Sequence, residues 1–155
     1  MDFVKKHIVT IMAVYIAFVF LQSLAFKGAE LFGEKADITV YIFSTIGDWM
    51  ASLGAVKLGA LFAAKGGLAI GFAELIASIL LLIPKTRVYG ALMAFGIISG
   101  AIFFHVFTPL GLFPYTDLSC LEAGCPKEYA LFFMAVGVWI CSAAIMMVKR
   151  KDFFH

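Results

Sequence analysis

The stretch GLAIGFAELIASILLLI, residues Gly67–Ile83, decides how this chain folds. Its seventeen residues are almost all apolar, and Glu74 stands in the middle of them. A run of this length approaches the roughly 20 residues that a helix needs to cross the ~30 Å hydrocarbon core of a bilayer. A carboxyl group near the bilayer centre costs at least about 2.5 kcal/mol unless it is compensated. Glu74 therefore marks the first position to test for function.

Three other stretches have the length and apolar character of membrane spans: Ile8–Phe26, Val88–Phe107 and Tyr129–Val148. The 155-residue chain is 63% hydrophobic and only 14% charged, with a mean hydropathy of +1.02. An ordinary soluble domain holds roughly a quarter charged residues. The sequence thus predicts an all-α integral membrane protein, a single domain over residues 1–155 built as a four-transmembrane-helix bundle.

The long loop after the first span carries the pattern of an amphipathic helix at about residues 38–56. Apolar residues recur there at helical spacing, namely Ile42, Ile46, Trp49, Met50 and Leu53. Ser44, Asp48 and Ser52 form the opposite, polar face. This pattern favours a helix at the membrane interface, with its apolar face in lipid or against the bundle. The alternative is a fifth span, which Asp48 disfavours and which would place the two termini on opposite sides of the membrane.

The basic residues predict the orientation of the chain. Seven of the twelve lie in the N-terminal segment, the short Pro84–Arg87 turn and the C-terminal tail, which four spans place on one side. The positive-inside tendency makes that side cytoplasmic, so both termini are expected in the cytoplasm, with the protein in the inner or plasma membrane. Because these residues flank spans and form no basic patch, nucleic acid is not an expected partner. Ile8–Phe26 exceeds the usual signal-peptide core and lacks a small-x-small cleavage site, so we interpret it as a retained span.

Several pairs of small residues stand four positions apart in the second and third spans. They are Gly67 and Gly71, Ala73 and Ala77, and Gly96 and Gly100. Such spacing lets helix backbones approach closely in lipid, where packing drives association. We expect these residues to pack the bundle.

Four polar residues are candidates for a ligand site in the outer half of the bundle. At a rise of about 1.5 Å per residue, Glu74 lies about 14 Å above the inner end of its span and His105 about 25 Å up. That separation of roughly 12 Å is too long for a direct hydrogen bond. Gln22 and Lys27 lie in the outer half of the first span, and the Lys27 stem is long enough to reach inward. The pattern predicts an outward-facing polar cavity with Glu74 at its floor and His105 at its rim, although each residue also has a purely structural alternative.

The cysteines allow two interpretations. Cys120 and Cys125 enclose four residues of an outer loop, where a structural disulfide would form in an oxidising compartment. The alternative is a redox-active dithiol, although four-helix quinone-linked disulfide-generating enzymes usually use Cys-x-x-Cys and a second cysteine pair. Cys141 is interpreted as a small buried residue of the last span. No metal site is expected, because His7 and His155 lie at the opposite membrane face from His105 and no cluster has zinc spacing.

Motifs in the second and third spans resemble the DoxX family of small membrane proteins. They are Gly71-Phe-Ala-Glu74, Gly90-Ala-Leu92, Gly100-Ala-Ile-Phe-Phe-His105 and Thr108-Pro-Leu-Gly111. The resemblance covers about half of the chain, and the long first loop and the Cys120/Cys125 pair depart from it. It implies a four-helix fold and a relation to thiosulfate:quinone oxidoreductase subunits or to membrane partners of redox and sulfur-handling proteins. It also implies that Glu74, His105 and Lys27 occupy family site positions.

These observations lead to one main hypothesis and two alternatives. The main hypothesis is a redox-linked subunit that binds a quinone or a small sulfur-containing or anionic ligand. In it His105 and Lys27 contact the ligand and Glu74 accepts or relays a proton. The alternatives are a membrane thiol oxidoreductase that uses Cys120 and Cys125, and a non-enzymatic accessory or transport protein. No nucleophile or cofactor motif identifies catalytic residues, so enzyme status stays open; the expected partners are the lipid bilayer, redox proteins or further copies of the chain.

Overall fold

The structure of the protein, a computed structural model, describes residues 2–28, 37–115 and 127–150. These residues form five α-helices: α1 Asp2–Gly28, α2 Asp37–Ser52, α3 Val56–Leu82, α4 Arg87–Phe107 and α5 Ala130–Val148. The pairing of Tyr115 with Lys127 is an isolated antiparallel bridge that closes the base of the connection between α4 and α5. The described part of the chain is therefore all-helical, as the sequence predicts.

Four of the helices are long and apolar enough to cross a membrane: His7–Ala25 within α1, and the whole of α3, α4 and α5. They coincide with the four predicted spans, and this all-helical fold fits a helical membrane protein. The second span differs at one end, because its helix begins at Val56 and not at Gly67. At about 1.5 Å per residue its 27 residues rise about 40 Å, which exceeds the ~30 Å hydrocarbon core.

Helix α2 folds back on the first half of α3 as a helical hairpin. It ends at Ser52, short of the predicted residue 56, because Gly54 adopts a φ of +90° in the turn that follows. Gly47 of α2 and Gly59 of α3 meet at their backbones, and a Cβ on Gly47 would lie 2.7 Å from the Gly59 carbonyl oxygen. The 16 residues of α2 rise about 24 Å, which is short of a full span.

Each of the four long helices packs mainly against two of the others. Helix α1 contacts α3 and α5, and α4 likewise contacts α3 and α5. Their shared core is apolar and includes Ala13, Ile16, Phe20, Leu81, Val138 and Ile145. Large apolar side chains such as Ile11, Phe18, Phe72 and Phe133 are exposed on the outer surface. A surface of this kind fits hydrocarbon and not water.

The turn between α3 and α4 lies at the end of the helix assembly that the charge pattern predicts to be cytoplasmic, and contacts there link three helices. Arg87 is buried; its Nε donates to the Leu81 carbonyl oxygen at 2.8 Å and a terminal nitrogen donates to Thr10 Oγ1 on α1 at 3.0 Å. Gly90 lies against the α3 backbone, where an added Cβ would be 2.6 Å from Leu81 N. One side chain thus ties together α1, α3 and α4.

The expectation for the paired small residues is only partly correct. Ala77 is fully buried in the core, and Gly71 faces α1. Gly96 and Gly100 instead have open space where a Cβ would stand, so no helix among the described residues approaches α4 closely at this pair. The spacing of small residues cannot say which side of a helix meets a neighbour, and the close approach on α4 falls at Gly90.

Candidate ligand-binding site

Lys27 and Glu74 form an ion pair between α1 and α3. Lys27 Nζ lies 2.7 Å from both Oε1 and Oε2 of Glu74. The side chain of Lys27 is 17% exposed and that of Glu74 only 6%. This is the one salt bridge recorded among the described residues. Two opposite charges are therefore held together inside a mostly apolar helix interface.

Ser23 completes the cluster. Its hydroxyl donates to Glu74 Oε2 at 2.8 Å and accepts from Lys27 Nζ at 2.8 Å. Ser23 and Lys27 are four residues apart, so both project from the same face of α1 toward α3. The three side chains form a closed triangle of hydrogen bonds, which we call the Lys27–Ser23–Glu74 cluster.

The local sequence explains why Lys27 can reach across. Gly71 stands one helical turn before Glu74, and a Cβ there would lie 3.6 Å from Lys27 Cβ and Cδ. The methylene stem of Lys27 thus passes α3 next to Gly71 and carries its ammonium group to the carboxylate. The Ser78 hydroxyl donates to the main-chain oxygen of Glu74 at 2.8 Å. The Glu74 carboxylate is therefore bonded by Ser23 and Lys27 and not by Ser78.

Burial makes the pairing a strict requirement. Removing one member of a buried ion pair typically costs 3–5 kcal/mol, because the remaining charge loses its compensation. The pair on its own is weak evidence for stability, since desolvation offsets most of the Coulomb attraction. An ion pair inside a membrane span is thus better explained by a functional role than by its contribution to folding.

His105 takes no part in the hydrogen bonds of the cluster and is bound locally. Its Nδ1 is 2.7 Å from the Gly111 carbonyl oxygen, which can only accept, so Nδ1 carries the proton in this contact. The ring also packs edge-on against Phe132, with centroids 6.1 Å apart. His105 secures the turn after α4, where Gly111 takes a φ of +73°.

The other predicted site residues do not join the cluster. Gln22 is exposed on the outer surface of α1, although it is next to Ser23 in sequence. Cys120 and Cys125 lie outside the described residues, so the disulfide stays a prediction. Cys141 is a half-buried free thiol in α5. Among the residues that the structure describes, no group of three or more possible ligands could hold a metal ion.

Ser23 is the cluster member that sequence reasoning missed. A signal was present, because Ser23 precedes Lys27 by four residues and follows Gln22, which was itself a candidate. A serine in an apolar span is common enough that only the position of Glu74 across the interface shows its part in the cluster.

Comparison with known proteins finds no relative. No family model, no curated protein and no solved structure matches the chain. The resemblance to the DoxX family therefore rests on the sequence motifs, and functional argument rests on the cluster.

The cluster has two chemical capacities. The ammonium group of Lys27 is a strong donor for an oxygen acceptor or an anion, and the Lys27 side chain is the more exposed of the two charged members. The Glu74 carboxylate can accept a proton or a hydrogen bond. Together they can bind a small polar group and exchange one proton with it.

Proposed function

We propose that the protein is a transmembrane four-helix bundle that binds a small ligand with oxygen acceptors at the Lys27–Ser23–Glu74 cluster, as a redox-linked membrane subunit. The Lys27–Glu74 pair, in which Glu74 is buried and Lys27 is partly exposed, is the observation that carries the proposal. In this arrangement α2 lies at the membrane interface and both termini are cytoplasmic, as the charge pattern predicts. The DoxX-like motifs support the redox link.

The depth of the cluster supports a ligand that enters from the outer leaflet. Glu74 is about 12 Å from the end of α3 at Leu82, which the charge pattern predicts to be the inner end, and Lys27 lies in the last turn of α1, at its outer end. An apolar ligand with a polar head could leave its tail in lipid and place its head beside the ammonium group. Quinones have this form.

The donors and acceptors of the cluster fit a quinone head group. A quinone carbonyl accepts hydrogen bonds, which the Lys27 ammonium and the Ser23 hydroxyl can donate. A quinol hydroxyl donates, and the Glu74 carboxylate can receive it. Reduction of the quinone takes up two electrons and two protons; in this proposal a redox partner protein supplies the electrons and Glu74 passes protons. A small sulfur-containing anion would use the same ammonium group.

Binding of decylubiquinone and of thiosulfate to the full chain in lipid nanodiscs tests the proposal. Lys27→Met should weaken binding of the preferred probe by about 10- to 100-fold, because a hydrogen bond to a charged group contributes about 1.5–3 kcal/mol. Gln22→Ala is the matched control, since it changes a neighbouring but exposed polar residue of the same helix and should leave affinity unchanged.

Two results would contradict the proposal. One is wild-type affinity for both probes in Lys27→Met, which would remove the cluster from the binding site. The other is a wild-type protein that binds neither decylubiquinone nor thiosulfate. Unfolding of each variant, followed by circular dichroism, shows whether a loss of affinity reflects a lost contact or a lost fold.

A further inference from the structure

We infer that the cluster takes up a small monovalent oxyanion together with one proton, the anion binding at Lys27 and the proton at Glu74. The inference rests on the proposed function in that both place the ligand at the Lys27 ammonium group. It goes further because it specifies the charge of the ligand and couples its binding to proton uptake.

The hydrogen bonds of the resting cluster are saturated. An ammonium group has three N–H donors, and Lys27 has three acceptors around it: both Glu74 oxygens at 2.7 Å and Ser23 Oγ at 2.8 Å. The hydroxyl proton of Ser23 is directed at Glu74 Oε2. An incoming oxyanion therefore finds a donor at Lys27 only if one of these contacts is given up.

The charges select which contact is given up. Lys27 and Glu74 together are neutral, and an added anion would leave one cation facing two anions in apolar surroundings, where like charges are strongly disfavoured. A proton on Glu74 removes this conflict. The site then holds one ammonium, one oxyanion and one neutral carboxyl group, so its net charge is again zero.

Protonation of Glu74 also frees N–H donors of Lys27 for the anion. A protonated Glu74 is a donor, and Ser23 Oγ, which already lies 2.8 Å from Oε2, can accept from it. The ammonium group then turns N–H donors from the carboxylate to the anion. The oxyanion replaces the Glu74 carboxylate as the counterion of Lys27, so the best ligand carries a single charge and a similar fork of oxygens.

No other charged group among the described residues competes for this role. Only Lys27 and Ser23 bond the Glu74 carboxylate there. On α4, Arg87 bonds Leu81 and Thr10, His105 bonds Gly111, and Tyr89 is exposed. The ionisable groups of α2 are the exposed Asp37 and Asp48 and Tyr41, which packs edge-on against Tyr115. The lysines of α3, Lys57 and Lys65, are exposed.

The exposure of the cluster gives the order of events. The Lys27 side chain is 17% exposed and the Glu74 side chain 6%, so an anion reaches Lys27 more readily than Glu74. An anion is thus drawn to the partly exposed cation, and its arrival favours protonation of the Glu74 carboxylate.

Nitrate is the probe that tests the inference most cleanly. It is a monovalent, planar oxyanion that carries no proton near neutral pH, so any proton taken up must go to the protein. Titration calorimetry of the full chain in nanodiscs, in two buffers of different ionisation enthalpy, should show uptake of about one proton for each nitrate bound. Nitrate affinity should rise by up to tenfold for each unit that the pH falls.

Two variants separate the roles. Glu74→Gln mimics the protonated carboxyl group, so it should bind nitrate without proton uptake and without the pH dependence. Lys27→Met should lose nitrate binding, and Gln22→Ala should behave as the wild type. The pH dependence of the wild-type protein tests the coupling even if Glu74→Gln does not fold.

The outcomes are distinct from those that test the proposed function. Nitrate binding with no proton uptake, or proton uptake that persists in Glu74→Gln, would overturn the inference. Lys27-dependent binding of decylubiquinone with no nitrate binding would overturn it too, but would uphold the proposed function. Loss of all Lys27-dependent binding would overturn both.

Discussion

Two cations at opposite ends of the helix assembly, the partly exposed Lys27 and the buried Arg87, are compensated in different ways. Lys27 is paired with a carboxylate and a hydroxyl, and part of its side chain remains accessible. Arg87 has neutral partners, the Leu81 carbonyl oxygen and the Thr10 hydroxyl, and is buried. The first arrangement contains a group that can change its charge, and the second does not.

The contrast shows how a binding site differs from a structural link. Arg87 uses fixed acceptors on two other helices, so its contacts can only be present or broken. The Lys27–Ser23–Glu74 cluster can exchange one internal acceptor for an external one if a proton compensates the charge. We therefore assign ligand binding to the Lys27 end and helix fixation to the Arg87 end.

The largest expected effect comes from breaking the pair on the lysine side. Lys27→Met leaves the Glu74 carboxylate buried without its cation, and the free energy of unfolding should fall by about 3–5 kcal/mol. Glu74→Gln should cost less, because Lys27 can extend its stem toward the membrane surface. Unfolding in a detergent titration measures both. An equal and small loss in the two variants would contradict the buried pair.

At the other end, Arg87→Met should lower the free energy of unfolding by about 1.5–3 kcal/mol through the loss of charge-assisted hydrogen bonds. Ligand affinity should stay at the wild-type value, because Arg87 is remote from the cluster. The same detergent titration, with the decylubiquinone and nitrate assays, measures this. A loss of affinity in a folded Arg87→Met protein would contradict the division between the two ends.

The close contact between α3 and α4 near Arg87 can be tested with substitutions that add only a methyl group. Gly90→Ala places a Cβ 2.6 Å from Leu81 N and 2.9 Å from the Ala77 carbonyl oxygen, which are backbone atoms that cannot rotate away. The expected loss is about 1–3 kcal/mol. Gly96→Ala is the matched control in the same helix, with open space at its Cβ, and should be neutral or stabilising. Similar unfolding midpoints for both would show that α3 and α4 are not in close contact.

The smallest effect is expected at His105. His105→Phe removes the hydrogen bond to Gly111 and should cost about 0.5–1.5 kcal/mol, while ligand affinity at Lys27 stays unchanged. Thermal unfolding and the same binding assays decide this. Reduced affinity in the folded variant would instead place His105 at the ligand, as the sequence analysis expected.

The spans were predictable because hydropathy and length depend on local sequence alone. The proximity of Lys27 and Glu74 could also have been predicted, since counting residues places both in the predicted outer half and the lysine stem is long. The rotation of each helix about its own axis could not be predicted, because it depends on the neighbouring helices. For this reason Ser23 was missed while Gln22, one position away, was named.

Two other differences between the predicted and the observed contacts also arise because helix packing cannot be read from the sequence. Gly96 and Gly100 have the spacing of a packing motif, yet the close contact of α4 with α3 is made by Gly90. His105 has the depth of a cavity rim, but the turn through Gly111 brings a carbonyl oxygen to its ring. Depth follows from counting residues, whereas the partner of a side chain follows from the packed structure.

The coupling between Lys27 and Glu74 is the most direct test of the central claim, that a charged pair is held inside this membrane fold. It is obtained from the unfolding free energies of wild type, Lys27→Met, Glu74→Gln and the double variant. The account predicts that the double variant, which buries no unpaired charge, is more stable than Lys27→Met alone. Simple addition of the two single losses would contradict it.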